Sequence, residues 1–188
     1  DPHYALGTYN KLYAVLSSGS ATDITPVGFT SGSSDALENL GWGGSTYGTG
    51  AYGVARPSNG VFQEATTWSL DNWGEYLVAC SVDDGKLYEW QLSGVATQIT
   101  NAPVDCLGLI VTDERCLFAV GPGGNAGKIA WDDREDNTAW RPAATKEAGD
   151  IGLQASGGIM RAVRMRRRTL ILTTQDGHIA SYAGPPTV

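Results

Sequence analysis

The chain has 188 residues, 25 of them glycine, and a formal net charge of −7. Glycine is about twice as frequent as the roughly 7% typical of globular proteins, a bias that loop-rich all-β folds share. The sequence contains no apolar run of the ~18 residues that a membrane-spanning helix needs, and its acidic character argues against general nucleic-acid binding.

A strand pattern recurs four times along the chain. Each copy has a short apolar strand, a polar turn, and then a lysine or histidine followed by apolar and usually aromatic residues. This lysine or histidine, which we call the anchor, is Lys11, Lys86, Lys128 and His178 in the four copies. The last three anchors are 42 and 50 positions apart, a period typical of the four-stranded blades of β-propellers.

Two further signals define the repeating unit. The sequence Ala-Thr-x-Ile-Thr begins at Ala21 and at Ala96, and each time its first Thr follows an anchor by 11 residues. The unit therefore continues past the hairpin into another strand. The hairpin turns contain Asp84-Gly85 and Asp176-Gly177, residue pairs that accept positive φ at low cost.

These observations predict an all-β, β-propeller-like fold in which residues 1–188 form a single domain. The predicted architecture is a partial or small propeller of four-stranded antiparallel blades with a Gly/aromatic-rich loop insertion. A β-sandwich is the alternative, although its strands usually follow one another at a shorter spacing.

The insertion occupies residues 30–62. Residues 30–35 have the composition of a loop, residues 36–40 are compatible with one helical turn, and residues 41–53 combine six glycines with three aromatic residues. Such a segment has few residues with which to build a core of its own. We predict an irregular Gly/Tyr/Trp-rich insertion that orders against a neighbouring subunit or folds back on its own domain.

Charge and aromatic residues single out candidate contact residues. Residues 161–188 carry a charge of +4 and the other 160 residues carry −11. The basic cluster could contact phosphates, but pairing with the chain's own carboxylates or a protein–protein contact is the favoured interpretation. The predicted subunit-interface residues are Trp42, Tyr47, Tyr52, Arg161, Arg164, Arg166, Arg167 and Arg168. The predicted blade-core residues are Trp68, Trp73, Trp90, Trp131 and Trp140.

The sequence motifs do not indicate catalysis, a metal site or a cofactor. The Gly-rich loop 121–128 resembles a phosphate-binding loop only superficially, because Pro122 stands where its first glycine is needed and Ile129 follows Lys128. The carboxylates of residues 132–136 lack the spacing of a calcium loop. His3 and His178 belong to no metal-ligand pattern. We therefore expect a protein that is not an enzyme and binds no cofactor or metal.

The cysteines favour a reducing compartment. Cys80, Cys106 and Cys116 are odd in number and show no C-x-x-C spacing. All three lie in or beside apolar runs, which predicts buried cysteines that pack as small apolar side chains.

Several stretches resemble virion proteins of tailed bacteriophages. The most specific is Trp68-Ser-Leu-Asp-Asn-Trp-Gly-Glu75, followed by an apolar strand, an Asp-Gly turn and Lys86-Leu-Tyr-Glu-Trp90. The resemblance covers most of the chain. It also includes Leu6-Gly-Thr8, Lys11-Leu-Tyr13, Asp23-Ile-Thr-Pro26, residues 41–53, Ile129-Ala-Trp131, Asn137-Thr-Ala-Trp140 and Ala148-Gly-Asp150.

This resemblance implies a structural protein of the phage tail, of the hub, nozzle or head-completion type, made in the host cytoplasm and located in the virion. Such proteins are not enzymes, and they form rings, often sixfold, of propeller-like domains around a DNA channel. The implied partners are further copies of the chain, other tail, portal or adaptor proteins, and passing DNA without specific binding; no membrane is implied. Members are commonly several hundred residues long, so we expect this chain to be a fragment or an unusually compact member.

Two other functions stay open. A receptor- or glycan-binding propeller at the tail tip would repeat aromatic residues once per blade, and Trp90, Trp131 and Tyr182 nearly do so, at four, three and four positions after their anchors. A hydrolase would need a pair of carboxylates in a cleft, which the sequence does not indicate.

Overall fold

The computed structural model describes residues 3–34, 37–38, 62–63, 65–154 and 157–184. These residues form antiparallel strands and turns, and their helical content is one short 3-10 turn at Pro122–Gly124. The prediction of an all-β fold is confirmed.

Four sheets follow one another along the chain, and each is a meander in which consecutive strands pair. Sheet I contains β1 (His3–Gly7), β2 (Leu12–Leu16) and β3 (Ala21–Asp23). Sheet II contains β6 (Trp68–Trp73), β7 (Tyr76–Ser81), β8 (Leu87–Trp90) and β9 (Thr97–Gln98).

Sheets III and IV continue the same pattern. Sheet III contains β10 (Gly108–Val111), β11 (Leu117–Val120), β12 (Lys128–Trp131) and β13 (Gly149–Gly152). Sheet IV contains β14 (Ile159–Met165), β15 (Arg168–Thr173) and β16 (Gly177–Ala180). The blade-sized repeat therefore corresponds to one sheet, with four strands in sheets II and III and three in sheets I and IV.

A short strand pair lies in the segment between sheets I and II. β4 (Leu37–Glu38) pairs with β5 (Phe62–Gln63), so the sequence-based expectation of a helical turn over residues 36–40 is wrong. A helical turn satisfies local hydrogen bonds, whereas this pairing needs a partner far along the chain, which local composition does not reveal. Trp42, Tyr47 and Tyr52 lie outside the described residues.

The anchors stand at the starts of equivalent strands, which are β2, β8, β12 and β16 in sheets I to IV, and this fixes which face of the sheet each side chain occupies. Side chains alternate between faces along a strand. The residue directly after the anchor, such as Leu87, packs toward the following sheet. The next residue, such as Tyr88, packs toward the preceding sheet. We call these two sides the forward face and the backward face of a sheet.

Three apolar clusters fill the junctions between consecutive sheets. The I–II junction joins Leu12, Ala14 and Ile24 to residues of the backward face of sheet II, including Tyr88 and Trp90. The II–III junction holds the largest cluster: Trp73, Val78, Cys80, Leu87, Ile99, Cys106, Leu109, Val111, Leu117, Ala119 and Trp140. The III–IV junction holds the smallest: Val120, Ile129, Ile159 and Ile171. In every junction a forward face meets the backward face of the next sheet.

Two anchors form equivalent ion pairs with the strand that follows them, β3 in sheet I and β13 in sheet III. The Lys11 ammonium lies 2.7 Å from Asp23, and the Lys128 ammonium lies 2.7 Å from Asp150. Both pairs are solvent-exposed, so their contribution to stability is small. Sheet II has Gln98 in the register position of these aspartates, and its anchor Lys86 turns instead to Asp84.

Candidate functional site

Asp71 in β6 connects the first strands of three consecutive sheets, II, III and IV. Asp71 accepts a hydrogen bond from the Val111 backbone N–H at 2.9 Å and lies 3.5 Å from the Arg164 guanidinium. Arg164 also donates to the Val111 carbonyl at 3.3 Å. β10 lies against both β6 and β14, so this network joins sheets II, III and IV along one edge.

The five arginines of the predicted cluster therefore have different surroundings in the structure. Arg164 is engaged within the chain, as the interpretation based on internal carboxylates expects. Arg167 sits in the β14–β15 turn with φ of 59°, where its backbone N–H donates to Asp113. Arg161, Arg166 and Arg168 have exposed side chains, so they remain accessible for the predicted subunit interface.

Asp84 is a buried polar centre that the sequence analysis treated only as a turn residue. Its carboxylate accepts hydrogen bonds from the Tyr88 hydroxyl, the Lys86 ammonium and the Thr30 backbone N–H. Burial would raise the pKa of Asp84, but these donors lower it below its ordinary value. Because Thr30 lies at the start of the insertion, Asp84 fixes the point where the chain leaves sheet I.

The predicted blade-core tryptophans lie between sheets. Trp73, Trp90 and Trp140 are buried, whereas Trp68 and Trp131 are half-buried. Arg115 stacks over the Trp73 ring, with its guanidinium carbon 5.4 Å from the ring centroid. The other four indole N–H groups, those of Trp68, Trp90, Trp131 and Trp140, each donate to a backbone carbonyl within 3.1 Å.

A cleft of about 700 Å³ opens between sheets III and IV. Its walls include Trp131 and Ile151 from sheet III, and His178 and Tyr182 from sheet IV. Ile151 is 52% exposed, whereas Ile24 and Ile99, its counterparts in sheets I and II, are buried. In sheets I and II, a loop of the following sheet covers the isoleucine. The β8–β9 loop covers Ile24, where the Ala96 backbone N–H donates to the Ile24 carbonyl. The β12–β13 loop covers Ile99, near which Trp140 packs.

Two aromatic side chains of the cleft are hydrogen-bonded to Glu147. The Tyr182 hydroxyl donates to the Glu147 carboxylate at 2.9 Å, and the Trp131 indole donates to the Glu147 carbonyl at 2.7 Å. Desolvation and the bond to Glu147 raise the pKa of Tyr182. The His178 Nε2 lies 3.3 Å from Asp176. The cleft thus combines two aromatic side chains with a carboxylate, an arrangement suited to binding a polar ligand that has an apolar face.

The acidic loop that follows β12 surrounds a lysine. Lys146 lies 2.8 Å from Asp133 and 3.1 Å from Asp136. Hydrogen bonds from the Thr138 hydroxyl and from the Lys146 ammonium lower the pKa of Asp136. Asp132 is fully buried, accepts the Leu117 backbone N–H at 2.7 Å, and has its pKa raised to about 9 by burial. Among the described residues, no cluster of His, Cys, Asp and Glu side chains could hold a metal ion.

The cysteines and the Gly-rich loop have structural positions. Cys80, Cys106 and Cys116 are buried free thiols, as predicted, and burial raises the pKa of Cys106 and of Cys116 to about 12. In the loop between β11 and β12, the backbone N–H groups of Gly123 and Gly124 donate to the carbonyls of Val104 and Asp105. These donors are therefore not directed at a phosphate site.

Comparison with protein-family models, with curated proteins and with solved structures gives no match. Within the described ranges, no helix is long and apolar enough to cross a membrane. The case for a function therefore depends on the repeat, on the sheet faces and on the cleft between sheets III and IV.

Proposed function

We propose that the chain is a non-enzymatic structural component of a tailed-phage virion, in the tail or head-to-tail region, where it acts by assembling with copies of itself and with other virion proteins. The row of blade-like sheets is part of a propeller in this proposal. The sequence resemblance supports the virion assignment, and the excess of acidic residues suits a protein beside passing DNA, which acidic walls repel.

The observation that carries the assembly role is the exposure of apolar side chains on both ends of the row of sheets. Tyr4 and Leu6 in sheet I are 62% and 55% exposed, and Val163 and Leu172 in sheet IV are each 40% exposed. Internal sheets bury the corresponding faces against a neighbour. Contiguous exposed apolar surface of this kind marks a contact with another protein.

Purified virions of the phage that encodes this sequence provide the test. We expect peptides of the chain in mass spectra of the particles, in a constant copy number per particle, and density for its sheets in a cryo-EM map of the tail. A chain that is produced in infected cells but missing from purified particles contradicts the proposal.

A second candidate function is glycan or receptor binding in the cleft. The structure brings Trp131 and Tyr182 into one cleft, whereas Trp90 lies in the I–II junction. An aromatic face beside polar groups is suited to a sugar ring. Binding on a glycan array that is lost in Trp131→Ala and retained in the control Trp68→Phe would support this function. Absence of binding to glycans and to host cells would exclude it.

A further inference from the structure

The two ends of the row of sheets expose different faces. Sheet I exposes its backward face, and sheet IV exposes its forward face. Each internal junction joins the forward face of one sheet to the backward face of the next, and the same repeat positions are used each time. Leu12, Leu87 and Ile129, directly after their anchors, all face forward and are buried. The equivalent residue in sheet IV is Ile179, which is 56% exposed.

The forward face of sheet IV forms an apolar band across three strands. Val163, Leu170 and Ile179 are direct neighbours in the strand register, and Leu172 lies two positions from Leu170 on the same side. Arg161 is paired with Leu172, and Arg168 is paired with Met165, so the band has arginines at both of its ends. This face has the composition of an interface, with an apolar centre and a polar rim.

The backward face of sheet I is the complementary end. Tyr4 is paired with Val15, and Leu6 is paired with Tyr13. Tyr13 and Val15 are two and four positions after the anchor Lys11, the positions that Tyr88 and Trp90 occupy in sheet II. In sheet II those two residues are buried against the forward face of sheet I.

We infer that the forward face of sheet IV in one copy packs against the backward face of sheet I in a second copy of the chain. This contact repeats between molecules the forward-to-backward packing that the chain uses three times internally. A contact between two sheet IV faces is disfavoured, because it would place Arg161 and Arg168 of both copies together and like charges repel.

The inferred contact is heterologous, since two different surfaces meet. A heterologous contact closes into a ring when the rotation between copies allows it, and otherwise continues as a filament. The inference deepens the proposed assembly role, on which it rests for its biological setting, by identifying the partner and the two surfaces. It is independent of whether the assembly belongs to a virion.

Sedimentation velocity on the purified 188-residue chain tests the contact. We expect concentration-dependent association of the wild type. Leu172→Glu introduces a charge beside Arg161 into the sheet IV band, and Leu6→Glu introduces one into the sheet I face. Each should weaken self-association at least about tenfold, because removing a charged group from water is costly, even when an opposite charge lies beside it. Val27→Glu, at a residue that is 91% exposed in a turn, is the matched control and should associate as the wild type does.

Mixing the two face variants decides between a heterologous and a symmetric contact. Leu172→Glu retains the sheet I face, and Leu6→Glu retains the sheet IV face, so their mixture should form a one-to-one dimer and nothing larger. Circular dichroism confirms folding of each variant, and Ile179→Glu with Tyr4→Glu provides a second pair if one of the first fails to fold.

Three results would overturn the inference. The first is a wild-type chain that stays monomeric up to the highest soluble concentration, the second is a Leu6→Glu variant that self-associates as well as wild type, and the third is a mixture that forms no dimer. A monomeric chain that is present in purified virions would reject this contact and leave the virion assignment intact, with other virion proteins as the partners. A chain that associates as inferred but is missing from virions would support this contact and reject the proposed function.

Discussion

The II–III and III–IV junctions use the same strand order and the same repeat positions, yet they differ in how completely they are filled. Ile99 is 5% exposed in the first and Ile151 is 52% exposed in the second. The loop between β12 and β13 places Trp140 near Ile99 and is connected to sheet II by a hydrogen bond from the Asn101 side chain to the Thr138 carbonyl. No described residue plays this part for Ile151, and the cleft lies there instead.

A residue's position in the repeat therefore determines which face of the sheet its side chain occupies, but not whether that side chain is buried. Burial of the equivalent isoleucines Ile24, Ile99 and Ile151 depends on a loop contributed by the next sheet. The stability of each sheet therefore depends on its following neighbour, as in other repeat proteins whose units are stabilised by nearest-neighbour interfaces.

Truncating Ile99 and Ile151 should give the largest difference in unfolding free energy between the two junctions. Ile99→Ala should lower the free energy of unfolding by about 3 kcal/mol, because it leaves a cavity in a packed cluster. Ile151→Ala should change it by less than about 0.5 kcal/mol, as expected for a solvent-exposed position. Urea unfolding followed by tryptophan fluorescence measures both. Equal losses at the two positions would mean that the III–IV junction is as well packed as II–III.

The glycines of the two Asp-Gly turns provide a second matched pair. Gly85 has φ of 63°, and an added Cβ would lie 2.7 Å from the Asp105 Cα. An added Cβ at Gly177 would meet only ordinary contacts, the nearest at 3.7 Å. We expect Gly85→Ala to cost about 2 kcal/mol, since it combines backbone strain with a clash.

Gly177→Ala should fall within about 0.5 kcal/mol of wild type, because its Cβ finds space. Thermal unfolding by differential scanning calorimetry compares the two variants. A Gly177→Ala variant as unstable as Gly85→Ala would show that sheet IV is packed at this turn as tightly as sheet II.

Asp132 begins the β12–β13 loop, which covers Ile99, and its buried carboxyl group links this loop to β11 through the Leu117 backbone N–H. Its pKa rises from an ordinary value of 3.8 to about 9 on folding, so the folded state keeps a proton that the unfolded state releases. The associated stability is fully present below about pH 4 and is lost as the pH rises toward 9. The free energy of unfolding should therefore fall by up to about 1.4 kcal/mol per pH unit across this window.

Asp132→Asn removes the titrating group, so its unfolding free energy should depend less steeply on pH than that of the wild type. Denaturant unfolding at pH 5, 6, 7 and 8 measures the slope, and Glu75→Gln, which changes an exposed carboxylate, is the control. Parallel slopes for the wild type and Asp132→Asn would show that this carboxyl group is ionised in the folded protein.

The sequence was sufficient to predict features that depend on neighbouring residues. The spacing of the anchors and the Ala-Thr-x-Ile-Thr motif locate the last two strands of sheets I and II, because strand pairing within a meander is local. The apolar runs around Cys80, Cys106 and Cys116 also made their burial predictable. The Asp-Gly pairs were less informative: Gly85 adopts the positive φ that was expected of both, whereas Gly177 begins β16 as ordinary extended backbone.

Features that depend on distant partners were not predictable. The role of Asp84 arises from Thr30 at the start of the insertion, and the role of Asp71 arises from Arg164 in sheet IV. Folding brings both partners from distant parts of the chain. The pairing of β4 with β5 also joins segments that are far apart in the chain, which is why residues 36–40 were misread. The cleft could not be predicted either. It exists because the loops leave part of the III–IV junction unfilled, and the packing of loops is not visible in the sequence.

The sequential order of the sheets has a consequence for how the molecule opens. A row that is joined through successive junctions loses order most readily at its ends, and the junction with the smallest apolar cluster yields first. Amide hydrogens of β15 and β16 should therefore exchange with solvent sooner than those of β7 and β11, which lie in the II–III junction. Solvent deuterium would thus enter the chain as a gradient from the last sheet inward, and docking of a second copy onto sheet IV would flatten that gradient.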